Sequence, residues 1–260
     1  VLIELQSVTK TFASRDREIA ALADVSLQIE EHSFVSFVGP SGCGKSTVLN
    51  LIAGLAAPTS GSVTYRSSPV AGPNARVGYI TQRDLLLPWR TVEQNVALPL
   101  ELHRRRTPAV ERTERVRRVL QTVNLSGFEK QFPAELSGGM RQRVAIARSL
   151  IYDPETLLMD EPFGALDSQL RLTMQDELLR IWERTHSTIV FVTHDLEEAI
   201  ALSDRVIVFT GRPGRPKLDR AVALPRPRNV YEVRFTPEFT ELHKELWRSL
   251  EDEVRGTRLE

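Results

Sequence analysis

Apolar and polar positions alternate from the first residues. Leu2, Ile3, Leu5 and Val8, followed by the stretch 19–29, predict short half-buried strands on either side of a charged turn, Ser14-Arg15-Asp16-Arg17. Residues 33–38 (Ser-Phe-Val-Ser-Phe-Val) have the pattern of a buried strand that ends at Gly39. Val48, Leu49, Leu51 and Ile52 then supply the apolar positions of a helix over 47–53. Strand, glycine-rich turn and helix in that order open a βαβ unit.

Between 82 and 150 the character changes. Val116, Val119, Leu120 and Val123 share one stripe of a helix over 110–123. This middle stretch carries 13 Lys and Arg against 7 acids, a local +6, densest at Arg104-Arg105-Arg106, which reads as a solvated helix end or turn. The α/β pattern returns as a strand at 156–159, a helix over 168–185, a strand at 188–192, a short helix at 195–201 and a strand at 205–209. Gly211-Arg212-Pro213-Gly214-Arg215-Pro216 breaks the chain. In the tail from Pro237, Phe239, Leu242, Leu246, Leu250 and Val254 predict an amphipathic helix docked on its own subunit, with regulation or dimer contact as the sharper reading. There is no internal repeat.

Composition narrows the class. The 34 basic residues balance 34 acidic ones, which removes the overall signal of a nucleic-acid binder, and no nucleic-acid partner is expected. One cysteine excludes an internal disulfide framework and suits a reducing compartment. No apolar run approaches the roughly 18 residues of a membrane span, and the first residues lack the order of a signal peptide. Val1 rather than Met opens the chain, so the numbering is expected to begin inside a slightly longer product. The expectation is a soluble intracellular protein which, if it works at a membrane, is held there by a partner.

Two motifs carry chemistry. Gly39-Pro40-Ser41-Gly42-Cys43-Gly44-Lys45-Ser46 fits G-x-x-x-x-G-K-[ST], with Thr47 following in the helix. Its backbone N–H groups form an anion nest, Lys45 reaches the β- and γ-phosphates, and the Ser46 hydroxyl ligates Mg²⁺. Cys43 reads as a small filler within the loop. Leu157-Leu158-Met159-Asp160-Glu161 is a buried strand ending in two carboxylates. There Asp160 would join the Mg²⁺ shell and Glu161 would polarise an attacking water.

With these in place, Leu136-Ser137-Gly138-Gly139-Met140-Arg141-Gln142-Arg143 resembles the LSGGxxQR signature of ATP-binding-cassette (ABC) ATPases. Gln82 matches the family's Q-loop glutamine, Gly164-Ala165-Leu166-Asp167 its D-loop and His194 its switch histidine. Phe12 falls where the family places an adenine-stacking aromatic, usually Tyr. The motifs follow family order over about residues 2–212. The resemblance implies an α/β fold: a P-loop NTPase, RecA-like core with an antiparallel β subdomain and an inserted α-helical subdomain. It divides the chain into an ATPase domain over 1–212, the helical insert at about 83–150, and a C-terminal extension over 213–260. It also implies a head-to-tail dimer binding two ATP with Mg²⁺. Ser137, Gly138 and Gly139 would cap the γ-phosphate held by the other copy, and Asp167 would belong to the nucleotide-binding set. His194 would contact that phosphate and steady Glu161, and Gln82 would sense Mg²⁺ and report to a transmembrane partner. For a lone His after a strand, a helix cap is the alternative. Phe12 and Met140-Arg141 are the departures, and nothing required for hydrolysis is missing.

Lys45 and Asp160 are 115 residues apart, which leaves no room for a long coiled coil, and there is a single cassette. Leu86-Leu87-Pro88-Trp89, the run 159–167 and the turn 211–216 resemble the nitrate, sulfonate and taurine importer branch. That likeness implies two permease subunits, an extracytoplasmic binding protein acting indirectly, and a peripheral place on the cytoplasmic face of the inner membrane. Leu85–Leu87 with Trp89 is either ordinary core or a groove for a permease helix. The alternatives are an ABC ATPase powering another process, such as lipid trafficking, and a non-catalytic nucleotide-binding module.

Overall fold

A computed structural model of the chain describes residues 1–14, 17–82, 84–102 and 108–256. Arg15 and Asp16 of the charged turn, the basic run Arg104-Arg105-Arg106 and the Val254 side chain lie outside the described residues. Two units divide the chain, residues 1–75 with 187–260 and residues 76–186.

The first unit begins with β1 (Ile3–Ser14) and β2 (Arg17–Ile29), then β3 (Phe34–Val38), α1 (Lys45–Ile52), β4 (Ser60–Tyr65) and the two-residue β5 (Ser68–Pro69). β1 and β2 are longer than the alternation suggested. Register shifts between Leu5 and Val8 and again near Lys10 break the apolar period without ending the pairing, while Ser7 and Asp24 take positive φ. Together these strands make an antiparallel sheet of order β2-β1-β4-β5.

In the second unit come β6 (Val77–Ile80), α2 (Val92–Leu102), α3 (Ala109–Thr122), α4 (Gly138–Leu150), β7 (Thr156–Asp160) and α5 (Ser168–Thr185). On α3 the predicted stripe is the inward one: Val116 and Leu120 are buried, as is Val123 just beyond the helix. β6 and β7 pair in parallel, with Ile80 opposite Met159.

The chain then completes the first unit with β8 (Thr188–Thr193), α6 (Leu196–Leu202), β9 (Arg205–Phe209), β10 (Pro216–Ala221) and α7 (Pro237–Gly256). β3 lies between β8 and β9, parallel to both, and β10 adds antiparallel to β9. Phe34, Phe37, Phe191 and Phe209 are fully buried on these strands. Their rings meet in tilted pairs, Phe34 with Phe191 at 5.9 Å and Phe37 with Phe209 at 5.3 Å between centroids. α7 buries Phe239, Leu242, Leu246 and Leu250. The segment leading to it is pinned by Arg228, whose buried guanidinium donates to the carbonyls of Ser203 (2.6 Å) and Leu224 (3.1 Å). Burial pushes that guanidinium down to about 10. Among the described residues no helix is long and apolar enough to cross a membrane.

Candidate functional site

Parallel pairing decides which loops meet. Val38 of β3 lies opposite Thr193 of β8, so Gly39 and His194 leave the sheet side by side. Gly39, Pro40, Ser41 and His194 accordingly line one cavity of about 500 Å³ together with Trp247 and Leu250 of α7. The same logic operates in the other unit. Ile80 lies opposite Met159, so Gln82 and Glu161 emerge two residues beyond paired strand ends. Gln82 Nε2 and Glu161 Oε2 both lie 3.7 Å from the point a Gly164 side chain would occupy. Loops beyond the carboxyl ends of parallel strands are where α/β folds place ligands.

The phosphate loop spans Gly39 to Ser46. Gly44 has φ +101°, and a Cβ there would stand 2.7 Å from the Ala21 carbonyl, so a side chain is excluded on both conformational and steric grounds. The helix therefore starts at once with Lys45, two residues earlier than the apolar spacing suggested. Lys45 is buried, and its ammonium folds back on the loop, donating to the carbonyls of Gly39 (2.8 Å) and Pro40 (2.9 Å) and lying 3.6 Å from Cys43 Sγ. All three partners are neutral. Among the described residues the bonds to this buried cation come from neutral groups, an arrangement that favours an incoming anion. Cys43 is buried and free; Ser46 is exposed and Thr47 half-buried on the first turn of α1. Ser46, Gln82 and Asp160 are all oxygen donors of the kind Mg²⁺ takes.

Asp160 ends β7 and is half-buried. Burial, and secondarily the Asp160 charge, pushes the Tyr79 phenol above its ordinary range. Glu161 follows with φ +46°, a left-handed conformation rare outside glycine. His194 is exposed, and the cap of α6 is Asp195, whose carboxylate accepts from the N–H groups of Glu197 (2.9 Å) and Glu198 (3.2 Å). The imidazole is thus not spent as a cap. Phe12 on β1 is 44% exposed, with Lys10 Nζ 4.9 Å from its ring centroid. Ser137 caps α4, its Oγ accepting from Met140 N at 3.2 Å, while Gly138 opens the helix and Gly139 packs against Leu170. Asp167 caps α5, accepting from the N–H groups of Gln169 and Leu170.

Several side chains that hold these loops lie outside the fixed positions of any motif. Arg141, inside the signature, donates to Asp84 Oδ2 (3.2 Å) and to the Leu136 carbonyl (2.7 Å). Arg148, two turns further along the same face of α4, donates to the carbonyls of Asp84 (2.7 Å) and Leu85 (2.8 Å). The signature helix therefore grips the segment just after Gln82. Asn95 is fully buried, accepts from Leu87 N at 2.8 Å and donates toward the carbonyls of Leu87, Arg90 and Thr91. It folds the 87–91 loop, leaving Leu86 buried but Leu85 and Trp89 59% and 71% exposed. The only sequence signal was an Asn inside an otherwise helical apolar run. Arg212 donates to the Gly42 carbonyl at 3.2 Å, a contact that neither the chain break nor the branch resemblance at 211–216 foretold.

Known proteins share this arrangement. Residues 22–164 match the family described as ABC transporter. The ABC transporter ATP-binding protein MJ0412 of Methanocaldococcus jannaschii is 46% identical over 98% of this chain and 93% of its own length. The aliphatic sulfonates import ATP-binding protein SsuB of Bacillus licheniformis is 43% identical over 93% and 91%. Among solved structures, the dimeric, post-hydrolysis ATP-binding cassette MJ0796 bound to ADP and Pi superposes with a TM-score of 0.75 at 35% identity. It covers 86% of this chain and 100% of its own. The chain therefore belongs to the ABC transporter family, as an ATP-binding cassette of α/β P-loop fold that hydrolyses ATP with Mg²⁺.

Proposed function

We propose that this ATPase drives a solute importer of the nitrate, sulfonate and taurine kind, working as a head-to-tail pair of copies under two permease subunits. The observation that carries the reading is that two glycine-bearing segments, the loop opening α1 and Ser137–Gly139 opening α4, each present a helix N-terminus suited to an anion. One nucleotide is cradled by the first. The second has a task only when it faces the nucleotide of another copy. The sulfonate-import relative and the dimeric cassette with ADP and Pi support the reading. In it the chain sits peripherally on the cytoplasmic face of the inner membrane, and an extracytoplasmic binding protein supplies solute to the permeases. The exposed Leu85 and Trp89 receive a permease helix.

The chemistry then divides among named atoms. Phe12 stacks on adenine, and Lys45 exchanges its loop carbonyls for β- and γ-phosphate oxygens. When bound, Mg²⁺ neutralises charge on those oxygens, with Ser46, Gln82 and Asp160 as the residues that would hold it. Glu161 accepts the proton of the water that attacks the γ-phosphorus, the bond to the β–γ bridging oxygen breaks, and ADP and phosphate result. His194, beside the phosphate loop, donates to the γ-phosphate and keeps the water aligned. Ser137, Gly138 and Gly139 close the partner's site, so hydrolysis requires two copies.

Ser137→Arg tests this. A bulky cation at an exposed helix cap is expected to end hydrolysis while the ATP affinity of the single chain stays nearly unchanged. Mixing it with Lys45→Ala is expected to restore some turnover, because each mixed dimer keeps one intact composite site. Loss of ATP binding by the isolated Ser137→Arg chain would sink the two-copy reading.

A further inference from the structure

The phosphate loop is gripped from outside by a turn that the tail helix in turn holds. The turn joins β9 to β10. Gly214 is pinned to β2 by two backbone hydrogen bonds, its N–H to the Ala21 carbonyl (2.9 Å) and its own carbonyl from Ala23 N (3.2 Å). It lies so close to the Cys43 carbonyl that a Cβ would stand 1.9 Å from that oxygen, so only glycine fits. Two residues earlier, Arg212 Nε donates to the Gly42 carbonyl at 3.2 Å. The turn thus covers two consecutive carbonyls of the phosphate loop.

A trans peptide carries its C=O and the following N–H on opposite edges. Holding the Gly42 and Cys43 carbonyls outward therefore turns the Cys43 and Gly44 N–H groups inward. The Cys43 N–H closes the loop on the Pro40 carbonyl at 3.3 Å. A guanidinium on the Gly42 carbonyl also polarises that peptide and so strengthens the hydrogen bond from the Cys43 N–H to Pro40 that closes the loop.

The turn is itself anchored by α7. Glu253 Oε2 accepts from the Gly211 N–H at 2.8 Å, and Oε1 from Lys217 Nζ at 2.8 Å. The Gly211 N–H first, and then Lys217, hold this carboxyl below the ordinary carboxylate range. Thr210 Oγ1 accepts from Arg215 N at 3.1 Å and closes the turn from within.

We propose that Arg212 and Glu253 are positioning residues for phosphate binding: Glu253 of the tail helix fixes the 211–214 turn, and Arg212 on that turn fixes the peptides of the phosphate loop. The tail helix in this way acts on the phosphate loop through the turn, and a change in its docking is felt as a change in phosphate affinity. The inference does not rest on the importer reading or on dimer formation.

The full chain with Arg212→Ala, Arg212→Lys, Glu253→Ala and Glu253→Gln provides the test. Mg-ATP, Mg-ADP and adenosine are titrated by competition against a fluorescent nucleotide, with KM and kcat in parallel and thermal unfolding without nucleotide as control. Both alanine variants are expected to weaken ATP and ADP binding roughly 3- to 10-fold, what one exposed hydrogen bond supplies. Adenosine affinity should hold, and KM should rise more than kcat falls. Arg212→Lys, which keeps a cationic donor, and Glu253→Gln, which keeps an acceptor for Gly211, are expected to recover part of the loss. The double variant should lose less than the product of the single losses, because both act on one turn. Equal losses for adenosine and ATP, unchanged affinities with only a lowered melting temperature, or independent effects in the double variant would each overturn the proposal. Arg212 is exposed, so its variants answer even if Glu253→Ala fails to fold.

Discussion

Glu161, the proposed base, sits in a backbone conformation that glutamate does not favour, and this makes a prediction of unusual sign. At φ +46° a residue with a Cβ crowds the following carbonyl, at about 1–2 kcal/mol. Glycine avoids that crowding but adds freedom to the unfolded chain, worth about 0.4–1 kcal/mol against alanine. The difference leaves Glu161→Gly more stable than Glu161→Ala by up to about 1.6 kcal/mol, with about 0.8 as the middle of the range. For a chain of this size that middle value is roughly 2–3 °C in melting temperature. Comparing glycine with alanine matters, because both remove the same carboxylate and every contact it makes, so side-chain losses cancel. Glu161→Gln keeps the crowding and serves as the functional control: it should bind ATP, turn over none and accumulate as the closed dimer. The measurements are thermal and urea unfolding of the nucleotide-free chain, then phosphate release at saturating Mg-ATP. In an ordinary conformation alanine would be the more stable of the two, by about 0.4–1 kcal/mol. That order, or appreciable hydrolysis by the glutamine variant, would refute the reasoning.

Other expectations follow from the same geometry. Asp84→Ala removes the carboxylate that accepts from Arg141 Nε and from Leu86 N, so amide exchange at Leu86 should quicken. Global stability should fall by only about 0–1 kcal/mol, as for an exposed ion pair; unaltered exchange there would show that the pair does not hold the segment. For Trp89→Ala, transport by the assembled importer should fall more than hydrolysis by the isolated chain, and equal losses would mark the Trp as a packing residue. Glu253, whose folded-state pKa is lowered, contributes stability above the ordinary carboxylate range that is lost as pH falls through its folded value. Glu253→Gln should accordingly show a shallower loss of stability on acidification, and parallel curves would contradict the assignment.

Residue identity alone made the phosphate loop legible, because Gly44, Lys45 and Ser46 are demanded by local chemistry. The strand ending in Asp160 and Glu161 was equally readable, since five consecutive residues announce a buried strand and its charged exit. What the chain order could not convey was register. That Val38 faces Thr193, and Ile80 faces Met159, is set by long-range pairing between segments about 80 to 150 residues apart. β4, β6 and β10 escaped notice because they are short or mostly polar, and β10 lies on an edge where alternation is weak. Asn95, Arg141 and Arg212 escaped for another reason. Each acts on backbone carbonyls or on one distant carboxylate, and such partners leave no trace in the local sequence. The tail helix was visible from its apolar spacing, whereas Glu253 on its polar side looked like any solvated acid.

Parallel strands advance about 3.3 Å per residue, whereas a catalytic constellation tolerates displacements of about 0.5 Å. A slip of one residue between β3 and β8 would carry His194 a full strand step away from Gly39, and one between β6 and β7 would part Gln82 from Glu161 in the same way. β3 and β8 are buried on both faces, Phe34 packing with Phe191 on one and Phe37 with Phe209 on the other, so such a slip between β3 and β8 would also part Phe34 from Phe191. A slip there would therefore cost packing as well as alignment. The register that seats Phe34 on Phe191 is thus also the register that sets Gly39 beside His194.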